Sequence, residues 1–472
     1  MSTHEAPTLA RRLGLSTAVM VVIGSTIGSG IFLTPQNVAH AVPIPGLMIF
    51  VWVLTGLLTL AGALTNAEVA SMLPEAGGQY VFFRVTFGKL TAFLYGWCTF
   101  IVYQTGSIAA LAVAFARYLG FYVDLPHLSP ELESWSLPLF TSIYPLKNFG
   151  VTLVAIVAII LVAFINYFGV HIGGWIQNIF SWLKIAAIGA IVALSFTSSS
   201  GSSAHFFPLF ALPESVPTMG ALMSAIGVAM IATLWSYDGW NSLTFLAGEV
   251  KNPQRTIPRA LLLGTVMIIV IYVVTNLAYL YVLPIAEMGA SKLVAADAME
   301  KVGKGYGSII AAMVMLSTFG TVNATTMTTA RVYFAMAKDK LFFRGLGEIH
   351  PKYRTPGKSL IIQAAWSCLL TLTGTYDQIF TYVVFAGWIF YALGAGSVFI
   401  LRAKEPDAER PYRVPGYPWV PILFIIVATW FVINTIIQQT SDSIVGLLLL
   451  AAGIPFYLLW DRQNMRAAKA QP

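Results

Sequence analysis

Between Leu13 and Ala67 the chain carries no charged side chain, and similar runs extend from Arg259 to Glu287 and from Asp377 to Arg402. A helix that crosses a bilayer needs about 20 apolar residues, so each run is long enough to span a membrane. Only 10% of the 472 residues are charged and 57% are hydrophobic, whereas soluble domains carry about 25% charged residues. Runs of this length also exclude a β-barrel, which has short alternating segments. The sequence therefore predicts an all-α polytopic membrane protein.

Charge-free runs of this kind predict 12 transmembrane helices. They lie at residues 14–40, 45–69, 88–119, 149–168, 174–197, 219–247, 258–283, 306–336, 358–375, 378–401, 418–438 and 443–461.

Lysine and arginine residues divide unequally between the two sides of the predicted membrane. With the N-terminus in the cytoplasm, 21 of the 27 lie on the cytoplasmic side, five lie opposite, and Lys184 lies within a span. This is the distribution of the positive-inside rule, and it accounts for the net charge of +7 without a nucleic-acid partner. We expect a multi-pass protein of the plasma (cytoplasmic) membrane, in contact with the lipid bilayer, with both termini in the cytoplasm.

Two predicted spans contain residues that do not suit a helix interior. The first holds three glycines, two serines and a threonine at 24–30, and the sixth is interrupted at 236–241. Broken backbone at membrane depth survives only where it is buried in protein or lines a cavity. The breaks are five spans apart, so the two halves have opposite orientations, as in inverted-repeat transporters that bind substrate between discontinuous helices. The predicted organisation is an N-terminal tail 1–13, repeat 14–197, repeat 219–401, loop and two helices 402–461, and a C-terminal tail 462–472.

Five motifs occur in order along the chain. They are 24–32 (GSTIGSGIF), 74–80 with 87–88, 237–241 with 249–253, 317–323, and 410–418. On these motifs the sequence resembles the amino acid–polyamine–organocation (APC) superfamily, in its L-amino-acid transporter (LAT) branch. The resemblance implies the leucine-transporter fold, with two five-helix inverted repeats and two extra helices, and amino-acid transport by alternating access.

The sequence departs from the LAT pattern in two helices. Tyr103 and Gln104 replace the Arg-Pro pair of the third helix, and Ala324 replaces the glycine after Asn323. Since these helices face the side-chain pocket, substrate preference stays open. Residues 120–148, where animal LAT proteins carry the cysteine that joins a glycoprotein, contain no cysteine. We expect no disulfide-linked glycoprotein subunit, and a monomer.

The two breaks also supply groups that bind an amino acid. Backbone amides at the start of a resumed helix favour a carboxylate, and carbonyl groups freed where a helix stops accept from an ammonium group. We assign Ser25, Ser29 and Gly30 to the substrate carboxylate, and Thr26, Trp235 and Asp238 to the amine. The expected substrate-binding residues are Ser25, Thr26, Gly28, Ser29, Gly30, Trp235, Ser236, Asp238 and Asn323.

Three of these residues have alternative roles. Trp235 either closes over the substrate as a gate or only packs. Asp238 either contacts the substrate or a proton, or caps the following half-helix through backbone N–H groups, which we favour. Asn323 either bonds across the helix bundle or touches the substrate.

Lys184 is the one lysine or arginine deep inside a predicted span, and an ionisable residue there indicates function. The resemblance implies that a lysine at this place stands where sodium-coupled relatives hold a sodium ion. It then contacts the backbone of the first helix and a hydroxyl of the eighth, for which Ser317 is the expected partner. The alternatives are a lysine that carries a proton and one that extends to the interface.

These observations favour a sodium-independent permease for neutral L-amino acids, working as an exchanger. Proton-coupled symport is the nearest alternative, followed by polyamine transport and a non-transporting sensor. The sequence shows no catalytic triad order, metal-ligand spacing or phosphate loop, so we expect no enzyme activity, no cofactor and no metal.

Overall fold

The structure, a computed structural model, describes residues 11–138, 142–210, 218–373 and 376–469. Residues 1–10 and 470–472 of the predicted tails, and 374–375 of the ninth predicted span, lie outside the described residues. The helices are α1 Leu15–Thr26, α2 Gly30–Leu33, α3 Pro35–Ala41, α4 Pro45–Met72, α5 Gln79–Thr86, α6 Lys89–Cys98, α7 Gln104–Leu119, α8 Pro130–Glu133, α9 Phe149–Tyr167, α10 Val170–Thr197, α11 Met219–Tyr237, α12 Ser242–Phe245, α13 Pro253–Val282, α14 Ile285–Ala290, α15 Val294–Val302, α16 Tyr306–Lys338, α17 Gly357–Thr371, α18 Tyr376–Lys404, α19 Trp419–Gln438, α20 Thr440–Ala451 and α21 Gly453–Lys469.

Shorter elements connect these helices. A π-helical turn, Thr99–Tyr103, joins α6 to α7, and 3₁₀ turns cover Ser203–Phe206, Ala247–Glu249 and Arg344–Gly347. The strands among the described residues are β1 Leu137–Pro138 and β2 Ser142–Ile143, which pair antiparallel.

Ten helical stretches within the described residues are long and apolar enough to cross a membrane. This confirms the all-α polytopic class. Two of the predicted spans are not among the ten. The span at 14–40 is divided into α1, α2 and α3, and α17 has 15 residues. The count of 12 spans and the two-repeat division remain predictions.

The helices that carry the breaks lie inside the bundle. α1 packs against α13, α10 and α16, and α11 packs against α3, α4 and α19. Val22, Ile23 and Ile27 of the first broken helix are fully buried, which explains how a glycine-rich segment is retained at membrane depth.

The segment before α1 is joined to the segment after α12. The backbone amides of Arg12 and Leu13 donate to the carbonyl oxygen of Glu249 at 2.8 and 3.0 Å, and the amide of Lys251 donates to the carbonyl of Leu13 at 2.8 Å. The Glu249 carboxylate lies 3.0 Å from Nε of Arg331 on α16, and their side chains are 4% and 1% exposed. Both broken helices are therefore tied to each other and to α16 at this end of the bundle.

Candidate functional site

The two broken helices meet at glycines. A Cβ added to Gly30 lies 2.6 Å from the Cα atom of Ser236. Gly239 has a φ of +95°, and a Cβ added there lies 2.6 Å from the carbonyl oxygen of Ser25. A side chain at either position pushes the breaks apart, and at Gly239 it also strains the backbone. Glycine at these positions allows the two breaks to touch.

Tyr272 of α13 bridges the breaks from outside. Its hydroxyl lies 3.0 Å from the carbonyl oxygen of Thr26 and 2.8 Å from that of Ser236. These carbonyls stand in the last turns of α1 and α11, where helical partners run out. This one buried hydroxyl is therefore within hydrogen-bonding distance of the last turns of both α1 and α11.

A small cavity of about 30 Å³ lies where the breaks meet. Seven of the expected substrate-binding residues line it: Ser25, Thr26, Gly28, Ser29, Gly30, Trp235 and Asp238. The remaining wall comes from other helices and from the second break: Gln104, Ser107, Leu111, Gly239, Ser242, Thr321 and Thr325. Within the described residues, no cluster of three or more His, Cys, Asp or Glu side chains forms a metal site.

Polar groups of the first break face this cavity without using their full bonding capacity. The side-chain oxygens of Ser25 and Thr26 are buried and have no hydrogen-bond partner among the described residues. Gly30 begins α2, so its amide lies in the first turn of the resumed helix, where amides lack helical acceptors. This is an environment suited to an anionic group.

Two expected substrate contacts point elsewhere. The Ser236 hydroxyl lies 2.6 Å from the hydroxyl of Thr34 and donates to the carbonyl of Ala232. It therefore links α11 to the residue between α2 and α3 instead of lining the cavity. Asn323 accepts from the side-chain amide of Asn166 at 2.8 Å and donates to the carbonyl of Gly173 at 3.3 Å. Of its two alternatives, the structure supports a bond across the bundle.

Lys184 is fully buried, but its partner is not Ser317. The ammonium group donates to the carbonyl of Gly24 at 2.8 Å and to the hydroxyl of Thr321 at 2.6 Å. The Thr321 hydroxyl also lies 3.0 Å from the carbonyl of Ile27, so it connects α16 to the first break. The Ser317 hydroxyl is buried without a partner among the described residues. The expected partner is therefore wrong by one helical turn.

The favoured cap role of Asp238 accounts for only part of its bonding. Its carboxylate accepts from the hydroxyls of Tyr391 at 2.6 Å and Tyr103 at 3.0 Å, and it also accepts from the backbone N–H of Gly239. The half-helix α12 is preceded by Asn241, which makes no side-chain capping bond. The carboxylate therefore connects the second break to α18 and to the π-helical turn that precedes α7.

We assigned no binding role from the sequence to the seven other residues of the cavity wall or to Tyr272. Gln104 was visible as a departure from the LAT pattern, and Thr321 stands one turn from Ser317 on the same helix. Tyr272 gave no signal, because it lies in an ordinary apolar span and nothing in the sequence distinguishes it from the other tyrosines among the 20 of the chain.

Comparison with known proteins identifies the family. Residues 13–455 match the amino acid permease family. The serine/threonine exchanger SteT of Bacillus subtilis (strain 168) is 32% identical over 95% of this chain and 96% of its own length. The b(0,+)-type amino acid transporter 1 of Mus musculus is 28% identical over 97% and 90%. The large neutral amino acids transporter small subunit 2 of Mus musculus is 29% identical over 96% and 81%.

The match covers nearly the whole chain, and these relatives are transporters, which confirms both the resemblance and the prediction that the chain is not an enzyme. With its membrane-spanning helices, the chain belongs to the amino acid permease family of the APC superfamily and is a membrane-embedded amino-acid permease.

Proposed function

We propose that this permease moves small or medium neutral L-amino acids by alternating access, without sodium, and that it works as an exchanger. The observation that carries this proposal is the buried ammonium group of Lys184, which joins the carbonyl of Gly24 to the hydroxyl of Thr321. In this proposal the positive charge of the ammonium group, held between α1 and α16, takes the place of a bound cation. Transport then needs no sodium ion.

In the proposed binding mode, the substrate carboxylate accepts from the backbone amides of Ser29 and Gly30 and from the hydroxyl of Ser25. The ammonium group donates to the carbonyl of Thr26 and lies beside Trp235 and Asp238, and Gly28 leaves room for the substrate backbone. The dipole of the resumed helix supports the carboxylate position. The buried hydroxyl of Ser25, which has no hydrogen-bond partner in the described part of the chain, supports it further.

We further propose that Trp235 is the gate. It is 6% exposed, lines the cavity and stands in the last turn of α11 before the second break. From that place its ring can cover a bound amino acid.

Neutral substrates are favoured because the Asp238 carboxylate already accepts from two tyrosine hydroxyls. A carboxylate engaged in this way has less capacity for a second ammonium or a guanidinium group. The relative that carries the name serine/threonine exchanger supports both small neutral substrates and exchange.

We place the protein in the plasma membrane with both termini in the cytoplasm, as a monomer without a disulfide-linked glycoprotein. The distribution of lysine and arginine supports the orientation. Cys98 and Cys368, the two cysteines of the sequence, lie in α6 and α17 rather than in 120–148.

The proposal is tested with purified protein in proteoliposomes. Uptake of a labelled neutral amino acid is compared between empty vesicles and vesicles loaded with unlabelled amino acid, with and without sodium and a pH gradient. Uptake that requires loading and ignores sodium supports the proposal. Uptake into empty vesicles driven by a proton gradient contradicts exchange and favours proton-coupled symport, which Lys184 could serve by releasing its proton. Dependence on sodium contradicts the role of Lys184.

A further inference from the structure

The wall of the cavity that does not belong to the breaks is formed by α7 and α16. Residues 104, 107 and 111 of α7 line it, at spacings of three and four that place them on one helix face. Thr321 and Thr325 of α16 line it as well. If the breaks hold the amino and carboxyl groups, as the proposed function requires, the substrate side chain extends towards this wall.

Two polar side chains of this wall, Ser107 and Thr321, are already bonded within the protein. The Ser107 hydroxyl donates to the carbonyl of Tyr103 at 2.9 Å, and the Thr321 hydroxyl accepts from Lys184. Gln104 differs, because it is 2% exposed and its side-chain nitrogen has no hydrogen-bond partner among the described residues. Buried donors without acceptors are rare and costly in native proteins. The Gln104 side chain lines the cavity, so a bound ligand can supply the acceptor that the protein does not.

The backbone before Gln104 is also unusual. The π-helical turn Thr99–Tyr103 ends directly before it, and the hydroxyl of Thr105 reaches the carbonyl of Phe100, five residues back, at 2.6 Å. One residue added to a turn rotates the next part of the helix by about 100° relative to a regular α-helix. Such turns are rare and frequently mark functional sites. Here the turn sets the direction in which Gln104 points.

We propose that Gln104 is a specificity-determining residue that hydrogen-bonds a hydroxyl on the substrate side chain. A hydroxyl both donates and accepts, so it pairs with either end of the carboxamide. An aliphatic side chain of the same shape leaves the carboxamide unsatisfied. The substrate class is therefore hydroxyl-bearing small amino acids, selected over their methyl isosteres.

The experiment compares hydroxyl and methyl isosteres. The protein is reconstituted in serine-loaded proteoliposomes, and KM and kcat for exchange are measured with threonine and valine, and with serine and 2-aminobutyrate. The wild type is expected to favour the hydroxyl member of each pair by about tenfold in KM. In Gln104→Leu the ratio falls towards one through a higher KM for the hydroxyl member. Gln438→Leu, the same substitution at an exposed position near the end of α19, keeps the wild-type ratio.

Two results overturn the inference. Equal KM values for both members of a pair in the wild type overturn it without any variant. If the wild type prefers the hydroxyl member of each pair and Gln104→Leu keeps the same preference, a residue other than Gln104 determines the selectivity. A wild type that exchanges no neutral amino acid at all is a different result, because it refutes the proposed function on which the inference rests.

Discussion

Replacing Thr321 with valine removes one hydroxyl and keeps the shape of the side chain. In the structure this hydroxyl accepts from Lys184 at 2.6 Å and lies 3.0 Å from the carbonyl of Ile27. A hydrogen bond to a charged group contributes about 1.5–3 kcal/mol, and 1.4 kcal/mol corresponds to a factor of about ten. Because Lys184 is 0% exposed, water is a poor substitute. Without the hydroxyl, the contacts of α16 with Lys184 and with the first break are lost. We therefore expect the apparent substrate affinity to fall about 10- to 100-fold.

Ser317→Ala is the matched control. Ser317 lies one turn earlier on α16, is 2% exposed, and its hydroxyl has no partner among the described residues. Removing it breaks no bond, so the effect should stay within about 0.5 kcal/mol, or roughly twofold. The assay is the concentration dependence of labelled amino-acid exchange in proteoliposomes, with the Tm of each variant measured in detergent. Equal losses in both variants, or an unchanged Thr321→Val, refute the assignment of Thr321 as the partner of Lys184.

Three further changes test the contacts around the breaks. Tyr272→Phe removes the hydroxyl shared by both broken helices and should weaken apparent substrate affinity by about 2 kcal/mol in the same exchange assay; unchanged kinetics argue against a bridge. Glu249→Gln leaves the buried Arg331 unpaired and should destabilise the protein by about 3–5 kcal/mol, read as a lower Tm, whereas the double variant Glu249→Leu/Arg331→Met should recover part of the loss. Gly24→Ala places a Cβ 2.0 Å from the side-chain nitrogen of Gln177 on α10 and should lower both the Tm and the exchange rate. Gly189→Ala, whose added Cβ meets no atom within 4 Å, should lower neither, and equal effects of the two variants would contradict the packing argument.

Glycine and small hydroxyl residues inside apolar runs identified where the helices break, because such residues weaken a helix interior by a known mechanism. The same local reasoning could not choose between Ser317 and Thr321. They lie four residues apart on one face of α16, and the choice depends on how far α10 is shifted along it. The position of α10 along α16 is set by the packing of the whole helix bundle, so neighbouring residues in the sequence do not reveal it.

Asn323 shows a second limit. Thr321 and Thr325 line the cavity, and Asn323 lies midway between them, rotated by about 200° from each neighbour along an α-helix. Once the facing residues are known, its direction is determined. The motif alone indicated that Asn323 matters, but it did not indicate which face of α16 carries its side chain.

The pairing of the segment before α1 with the segment after α12 has a mechanical consequence. Three backbone hydrogen bonds join Arg12 and Leu13 to Glu249 and Lys251. While they hold, the outer ends of both half-helices cannot separate from α16 one after the other. Any opening there moves them as one body and parts Glu249 from Arg331 in the same step. The opening then has one degree of freedom instead of two.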